Sequence, residues 1–567
     1  MKRSVVLFFV LILSLHNVMA QAPKWVEKAK KAVFSVITYD ESDKILNTGN
    51  GFFVSEDGVA LSDYSLFKGA YRAVILDAGG KQMPVDVILG ANDIYDVVKF
   101  RVLVDKKVPF LKQASIAPTV GAKVYLLPYS TQKDRSCTIG QLKSVSSIAS
   151  SHHYYAFNMS LKDKMVSCPV TNAEGEVLGL VQKASTDGDT NVCYAVGASF
   201  AMSQKIGPLS FSDNTLRAIH IKKGIPDTEE QALVYLLMAS TQVSPKEYGQ
   251  LLNDFVAKYP ENADGYIRRA RNYVSLGVKD ISQMDKATAD LEKALKIAKK
   301  KDDVHYNIAK LIYAYQLSKP EKVYKDWTYD KALDELKAAL DIDSLPIYTQ
   351  LEGDIYFAKQ NYQDAFTAYA KVNKTNLASA STFYSTAKTK ELMKADIKEV
   401  VALMDSCIAH CVKPYGGDAA PYLLERARVN MEAKQYRAAL LDYDSYYDAA
   451  AGQVNDVYYY YREQAALKAK QFQRALNDIT KAVELNPKDL TYRAELSVVN
   501  LRVGRFEEAI KVLDEALAID PKYAEAYRLK GICELQLKKN KEACANFAKA
   551  KELGDTAVDK LIAKHCK

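Results

Sequence analysis

The sequence predicts a multidomain chain, an all-β part followed by an all-α repeat array, and three observations carry that prediction. Between Val454 and Gly554 residue types recur with a period of 34: Pro487 and Pro521 keep that spacing, as do Phe472 and Phe506, and Ala475, Ala509 and Ala543. A fixed period in this range marks a solenoid. Apolar residues at helical spacing run from about residue 228 to the end. Residues 24–200 hold instead short β-type runs separated by Gly, Asp and Asn turns, the pattern of an all-β barrel or sandwich.

Taken in order, residues 1–20 read as a signal peptide. Lys2 and Arg3 precede an apolar run from Val5 to Leu15, and Val18, Met19 and Ala20 offer the small residues of a cleavage site. The run is too short to span a bilayer. The mature chain is expected to begin at Gln21, in the periplasm or otherwise outside the cytoplasm, with no transmembrane segment.

The β-type runs of residues 24–200 include VFSVITY, GFFVSEDG, YRAVILDAGG, AKVYLLPY, EVLGLVQ and CYAVGASF. Four segments occur in a telling order: G-N-G-F-F-V-S-E-D-G-V-A-L-S-D, G-A-N-D-I-Y-D-V-V-K-F, S-C-P-V-T-N-A-E-G-E-V-L-G-L-V and Y-A-V-G-A-S-F. Together they resemble the trypsin-like proteases of the HtrA type, which implies a double β-barrel. The resemblance puts the catalytic positions on particular residues. Ser65 stands at the His position, Asp96 at the Asp position, and Val166 at the nucleophile position, because the family's G-N-S-G-G-P reads K-M-V-S-C-P here. A triad needs a nucleophile, a base and an orienting acid with backbone donors for the oxyanion. Val166 has no nucleophilic atom, and Ser65 cannot serve as a base near neutral pH. Asp96 is then read as a turn residue or helix cap. A shifted nucleophile at Ser167 would lack both base and oxyanion hole. The expectation is an inactive protease-like domain.

Residues 201–227 carry Gly207-Pro208 and Gly224-Ile225-Pro226 and are expected to be a linker between domains. About nine helix pairs are expected over 228–555. The pair at 344–376 keeps Gly353, Tyr356, Tyr362, Ala365 and Tyr369 in phase, and the pair at 302–343 holds a long loop with Pro320 and Trp327. In the last full unit Tyr527, Gly531, Ala543, Phe547 and Ala550 fall on the marks of the tetratricopeptide repeat (TPR), which these units resemble. The middle unit keeps Ala509, Leu513, Ala516 and Pro521, but has Arg493 and Ser497 where an aromatic residue and a Gly are usual. Residues 556–567 are expected to form a helix that caps the last apolar face.

The TPR resemblance implies a concave groove lined by the first helix of each pair. Its positions here are Val457, Tyr460, Gln464 and Leu467, then Thr491, Ala494, Val498 and Leu501, then Glu525, Arg528, Ile532 and Leu535. Ala494 and Val498 replace the Lys and Asn with which some members of that family clamp a terminal carboxylate. The groove is expected to be mainly apolar and to suit an apolar segment of a partner protein.

Eight cysteines in an exported chain permit disulfides. A bridge among Cys533, Cys544 and Cys566 would pin the terminal cap, with connectivity left open. Cys407, His410 and Cys411 lack a fourth ligand for zinc and read as structural. No cofactor and no metal is expected. Of the 37 tyrosines, Tyr443, Tyr446 and Tyr459 are assigned to helix packing and Tyr460 is left open. Net charge is +8, and +6 without the leader's Lys2 and Arg3, spread along the chain, whereas nucleic-acid binding calls for a concentrated basic patch. The expected work is protein–protein interaction in a cell envelope, as a scaffold or accessory subunit. A periplasmic serine endopeptidase with a TPR recruitment domain and a peptide-binding chaperone are the alternatives.

Overall fold

The computed structural model describes residues 22–133, 135–148, 152–182, 191–277 and 281–566. The expected leader and cleavage site lie outside the described residues. The chain divides into two compact units, the first ending at Ala298 and the second starting at Lys299.

The first unit opens with two closed antiparallel barrels of six strands each, as the family resemblance implied. The first contains β1 (Val33–Tyr39), β2 (Ile45–Phe53), β3 (Val59–Ser62), β4 (Arg72–Leu76), β5 (Gln82–Asn92) and β6 (Val97–Val102). Their order is β1-β2-β3-β6-β5-β4, and pairing of Val36 with Ile75 closes the ring. Strand alternation supplies the core: Phe34, Phe53 and Phe100 point inward and pack edge to face, joined by Phe67. At the β4–β5 turn Asp77 accepts the backbone N–H groups of Gly79 and Lys81, an Asx turn of the kind D-A-G-G-K encodes.

The second barrel contains β7 (Lys123–Leu126), β8 (Thr138–Ile148), β9 (His152–Asn158), β10 (Pro169–Thr171), β11 (Val177–Val181) and β12 (Val192–Gly197), closed by β7 on β10. Val124, Leu142, Phe157, Cys168, Val170 and Cys193 fill it. Burial pushes the Cys168 and Cys193 thiols up to about 12, so both act as small apolar side chains. A third apolar cluster belongs to both barrels: Phe52, Leu61 and Val97 from the first meet Leu127, Leu180 and Val196 from the second. This shared core presses the two barrels together.

Residues 201–227 are not the free linker their Gly and Pro content suggested. The helix Ala198–Ser203 enters the segment, and a short helix Asn214–Arg217 follows, capped by Asp213. The backbone then docks on the first barrel. Gly69 donates to Ala218, His220 to Ala70, Ile88 to Lys222 and Gly224 to Ile88. Ile206, Leu216, Ile219, Ile221 and Ile225 are buried. Five apolar residues among the turn formers drive this burial, which the turn residues masked in the sequence. Helices Glu229–Ala239, Pro245–Lys258, Ala263–Gly277 and Ser282–Ile297 complete the first unit. Ser244 and Glu247 form a reciprocal capping box at the second of these.

The second unit is helical from Lys301–Leu317 to Asp559–His565. Tyr324 and Trp327, in the long loop of its first pair, fold back on Tyr315 and are buried. Small residues sit where helices cross: a Cβ on Gly531 would lie 2.5 Å from Cε1 of Phe547. Ala475, Ala509 and Ala543 are fully buried. A disulfide joins Cys544 to Cys566, with Cys533 free and buried, and Val558 seals the last apolar face. Cys407 is buried, and the His410 ring packs on Phe383.

The docked segment makes a quantitative expectation. Ile219→Ala, at a fully buried position, should destabilise the first unit by about 2–5 kcal/mol in urea unfolding of the whole chain. A change within about 0.5 kcal/mol would mean that the segment behaves as an exposed linker.

Candidate functional site

The shared core of the two barrels brings three loops to one cleft of about 670 Å³, lined among others by Asn50, Asp63, Ser65, Asp96, Lys164, Val166 and Ser167. Ser65, Asp96 and Val166, which the sequence resemblance singled out, therefore come together. Ser65 lies in a one-turn helix, Tyr64–Phe67, directly after β3. Asp96 sits on the turn before β6 with φ of 48°, a left-handed conformation that Asp tolerates better than most residues. Its carboxylate accepts from the Ser65 backbone N–H at 2.6 Å and from the Ser65 hydroxyl at 3.0 Å. The two residues that the sequence resemblance set at the His and Asp positions are thus in direct contact. A hydroxyl held this way donates its proton to Asp96; it offers no base to a neighbour.

Val166 presents an aliphatic side chain and sends its backbone carbonyl to the Asn50 amide, 2.8 Å away. The same amide donates to the Lys164 carbonyl at 3.0 Å. The Asn50 carbonyl in turn accepts the Ser62 hydroxyl at 2.6 Å. Asn50 belongs to the first barrel, so the loop 164–166 of the second barrel is tied down from across the cleft.

The strongest tie was not legible in the sequence. Asp63 stands at the N-cap of the Tyr64–Phe67 turn, yet its side chain makes no cap bond. Its carboxylate turns away and accepts the Ser167 hydroxyl at 2.6 Å, across a sequence separation of 104. Both side chains are buried, Ser167 at 1 % exposure and Asp63 at 3 %. The other Asp63 oxygen, Oδ1, finds no partner among the described residues. Burial pushes the Asp63 carboxyl well above the usual carboxylate range; the Ser167 hydrogen bond lowers it in part, and the charge of Asp96 adds to the rise. Ser167 itself has φ of +66°, a left-handed conformation that favours Gly. Its N–H is spent on the Val181 carbonyl. Nothing in the sequence said that Asp63 would serve a residue of the other barrel.

His152 and His153 do not line this cleft. His152 sits 3.2 Å from the Ser199 hydroxyl and against Phe200; His153 packs on Tyr155.

In the second unit the expected groove positions are only partly open. Val457 is 42 % exposed and Thr491 is exposed. Tyr460, Gln464, Leu467, Val498, Leu501, Glu525, Ile532 and Leu535 are half-buried, and Ala494 is buried. The Tyr460 ring packs at a tilt against those of Tyr492 and Tyr461. Val498, Leu501 and Ile532 pack on the cluster of Leu513, Leu529 and Cys533. Arg528 is no free cation at the end of a groove: it pairs with Asp555 at 2.7 Å and Glu525 at 2.6 Å. Adjacent pairs of a tightly stacked array bury part of the helix face on which the groove positions lie, Ala494 most completely.

Comparison with known proteins agrees with this anatomy. The family model of a trypsin-like peptidase domain matches residues 49–180, and that of the tetratricopeptide repeat matches 466–533 and 500–564. The chain carries a trypsin-like peptidase domain of two six-stranded barrels followed by tetratricopeptide repeats. Among curated proteins, DnaJ homolog subfamily C member 7 of Homo sapiens is 30 % identical over 84 residues, 15 % of this chain and 17 % of that protein. Protein SGT1 homolog of Bos taurus is 30 % identical over 94 residues, 17 % of this chain and 28 % of that protein. The chain thus spans well under a third of the length of these relatives.

The buried pair predicts a pH signature. Asp63 is raised in the folded state, so its contribution to stability is complete below the unfolded carboxylate value, about 4, and is lost as pH rises through the folded value. Asp63→Asn keeps an acceptor for Ser167 and removes the titration. The variant should gain in melting temperature over the native chain as pH is raised from 4 to 8 (about the range bounded by the carboxylate reference and mild alkali), with little difference at the acid end. A difference that stays flat over that range would contradict the assignment.

Proposed function

We propose that this chain is an exported, non-catalytic protein–protein interaction subunit of a cell envelope, in which a peptidase-type domain serves as a structural or peptide-holding module and the repeats recruit a partner. The observation that carries the non-catalytic reading is the state of the cleft. Val166 supplies no nucleophile, the Ser65 hydroxyl is committed to Asp96, and the hydroxyl nearest the nucleophile position, that of Ser167, is committed to the buried Asp63 carboxylate. The parts of a serine-protease triad act as a unit, and here nucleophile and base are missing together. An endopeptidase reading would have to run through Ser167, which is 1 % exposed and whose N–H already holds Val181. The basic, apolar and small-residue order of residues 1–20 supports export.

Protein binding follows from the repeats themselves, which stack to give long surfaces for partner chains. The open positions Val457 and Thr491 lie on the first helices of successive pairs, Asp456–Lys468 and Leu490–Arg502, and are the groove positions a partner would reach.

The purified chain should take no label from a fluorophosphonate probe and should not turn over casein. Labelling that persists through repurification and disappears in Ser167→Ala would overturn the non-catalytic reading. For the groove, Val457→Asp combined with Thr491→Arg alters exposed side chains only, so the circular dichroism spectrum should stay native while the partner crosslinked in the native envelope is lost. Retention of every crosslinked partner would place the interface elsewhere.

A further inference from the structure

The second unit has an edge whose charge its own fold does not use. In each helix pair from Pro346–Ala358 onward, the turn between the two helices places one residue in the left-handed region: Gln360, Lys394, Lys434, Lys470, Gly504 and Lys538, with φ between 57° and 80°. This is the position that ends a helix, and glycine is its relaxed occupant; Gly504 shows the usual solution. Four of the six carry Lys instead.

A lysine here has one local use, since cations favour the C-terminal end of the helix that stops at the turn. The same turn opens the next helix, whose N-terminal end disfavours cations. Cations nevertheless stand at its start, Arg505 and Lys539 at the N-cap and Arg437 in the first turn. The helix dipoles therefore do not account for the row.

The row is densest between two neighbouring turns. Lys434, Arg437, Lys468 and Lys470 line a hollow of about 420 Å³ together with Gln435 and Tyr436, and no carboxylate lines it. All four cations are exposed, and none makes an ion pair among the described residues. Glu495 feels Lys468 without pairing with it. Cations inside the same helix pairs behave otherwise: Arg426 is held by Asp442 and Arg462 by Asp478, each at 2.6 Å. On the opposite edge Lys488 and Lys522 adjoin Asp489 and Asp520 in the N-P-K-D and D-P-K turns.

We propose that this edge, centred on the hollow between Lys434 and Lys470, docks an acidic segment of a partner protein. Charge complementarity selects the occupant: a recess lined by four unpaired cations takes carboxylates. The equivalent cation recurs in four of the six helix pairs, at Lys394, Lys434, Lys470 and Lys538, which suits an extended chain that offers acidic side chains in succession. A recess between turns favours side chains that can enter it over the plane of a bilayer. The docking edge is formed by the turns, so it is separate from the groove of the first helices and does not depend on it.

The test is binding of a fluorescein-labelled oligoglutamate peptide to the full chain, followed by anisotropy at two salt concentrations. Lys434→Glu/Lys468→Glu/Lys470→Glu should weaken binding by about tenfold or more and flatten its salt dependence. The matched variant Lys374→Glu/Lys488→Glu/Lys522→Glu, which reverses as many exposed charges away from these turns, should bind within about threefold of the native chain. Lys434→Asn/Lys470→Asn guards against misfolding, because Asn tolerates the left-handed backbone; it should also weaken binding. Val457→Asp/Thr491→Arg should leave peptide binding intact, which separates this edge from the groove. Equal losses in the two charge-reversed variants would overturn the proposal in favour of general charge attraction. Absence of peptide binding would overturn it as well, and binding of phosphatidylglycerol vesicles in its place would assign the edge to a lipid surface.

Discussion

A carboxylate taken out of water has to be paired or neutralised, and at Asp63 that constraint organises the peptidase-type domain. The carboxylate leaves its own helix uncapped to accept the hydroxyl of Ser167 in the other barrel. Asn50 ties the preceding residues of the same loop from the same side. The two contacts hold the segment 164–167 as a buried splint between barrels. A loop used in this way is fixed, and its one hydroxyl is occupied. The structural bonds fall on the same few positions from which the proposed non-catalytic reading is argued, so that reading has a physical basis beyond the identity of Val166.

The repeats contain the same constraint solved differently. Arg426 and Arg462 each reach a buried carboxylate 16 residues later, Asp442 and Asp478. Arg462 also meets Asp444 and the Tyr458 hydroxyl, with the rings of Tyr447, Tyr458 and Tyr459 around it. Several of the abundant tyrosines thus belong to a cation-centred core, where a broad apolar body and a polar tip are both used. Such buried pairs add more to register than to net stability. Glu463 shows the cost when pairing is incomplete. It is fully buried, one of its oxygens lacks a partner among the described residues, and burial with the nearby Glu495 pushes its carboxyl up to about 8.

Glu463, Ser497 and Gly531 are spaced by the repeat period and all are buried at helix crossings. A small residue is what that position asks for; Gly531 and Ser497 supply it, and Glu463 does not. The period made the position legible; the Glu at it is accommodated by Gln464, which donates to its carboxylate at 2.7 Å. The same reasoning explains the segment 201–227. Gly and Pro mark turns faithfully, but they say nothing about whether the residues between them dock, and Ile219 and Ile221 settle that by burial against the first barrel.

The sequence by itself determined the two architectures, because alternation in a strand and a 34-residue period in a helix array are local patterns repeated many times. It also placed Ser65, Asp96 and Val166 at one site through the order of four segments. Tertiary structure alone decided which side chains are spent on holding the fold. Asp63 and Ser167 are 104 residues apart, Cys544 chooses Cys566 over Cys533 by proximity, and the half-burial of Val498 and Ile532 depends on the neighbouring pair. Burial and pairing are properties of distances between segments, and a linear pattern fixes such distances only within the reach of a helix turn or a strand pair.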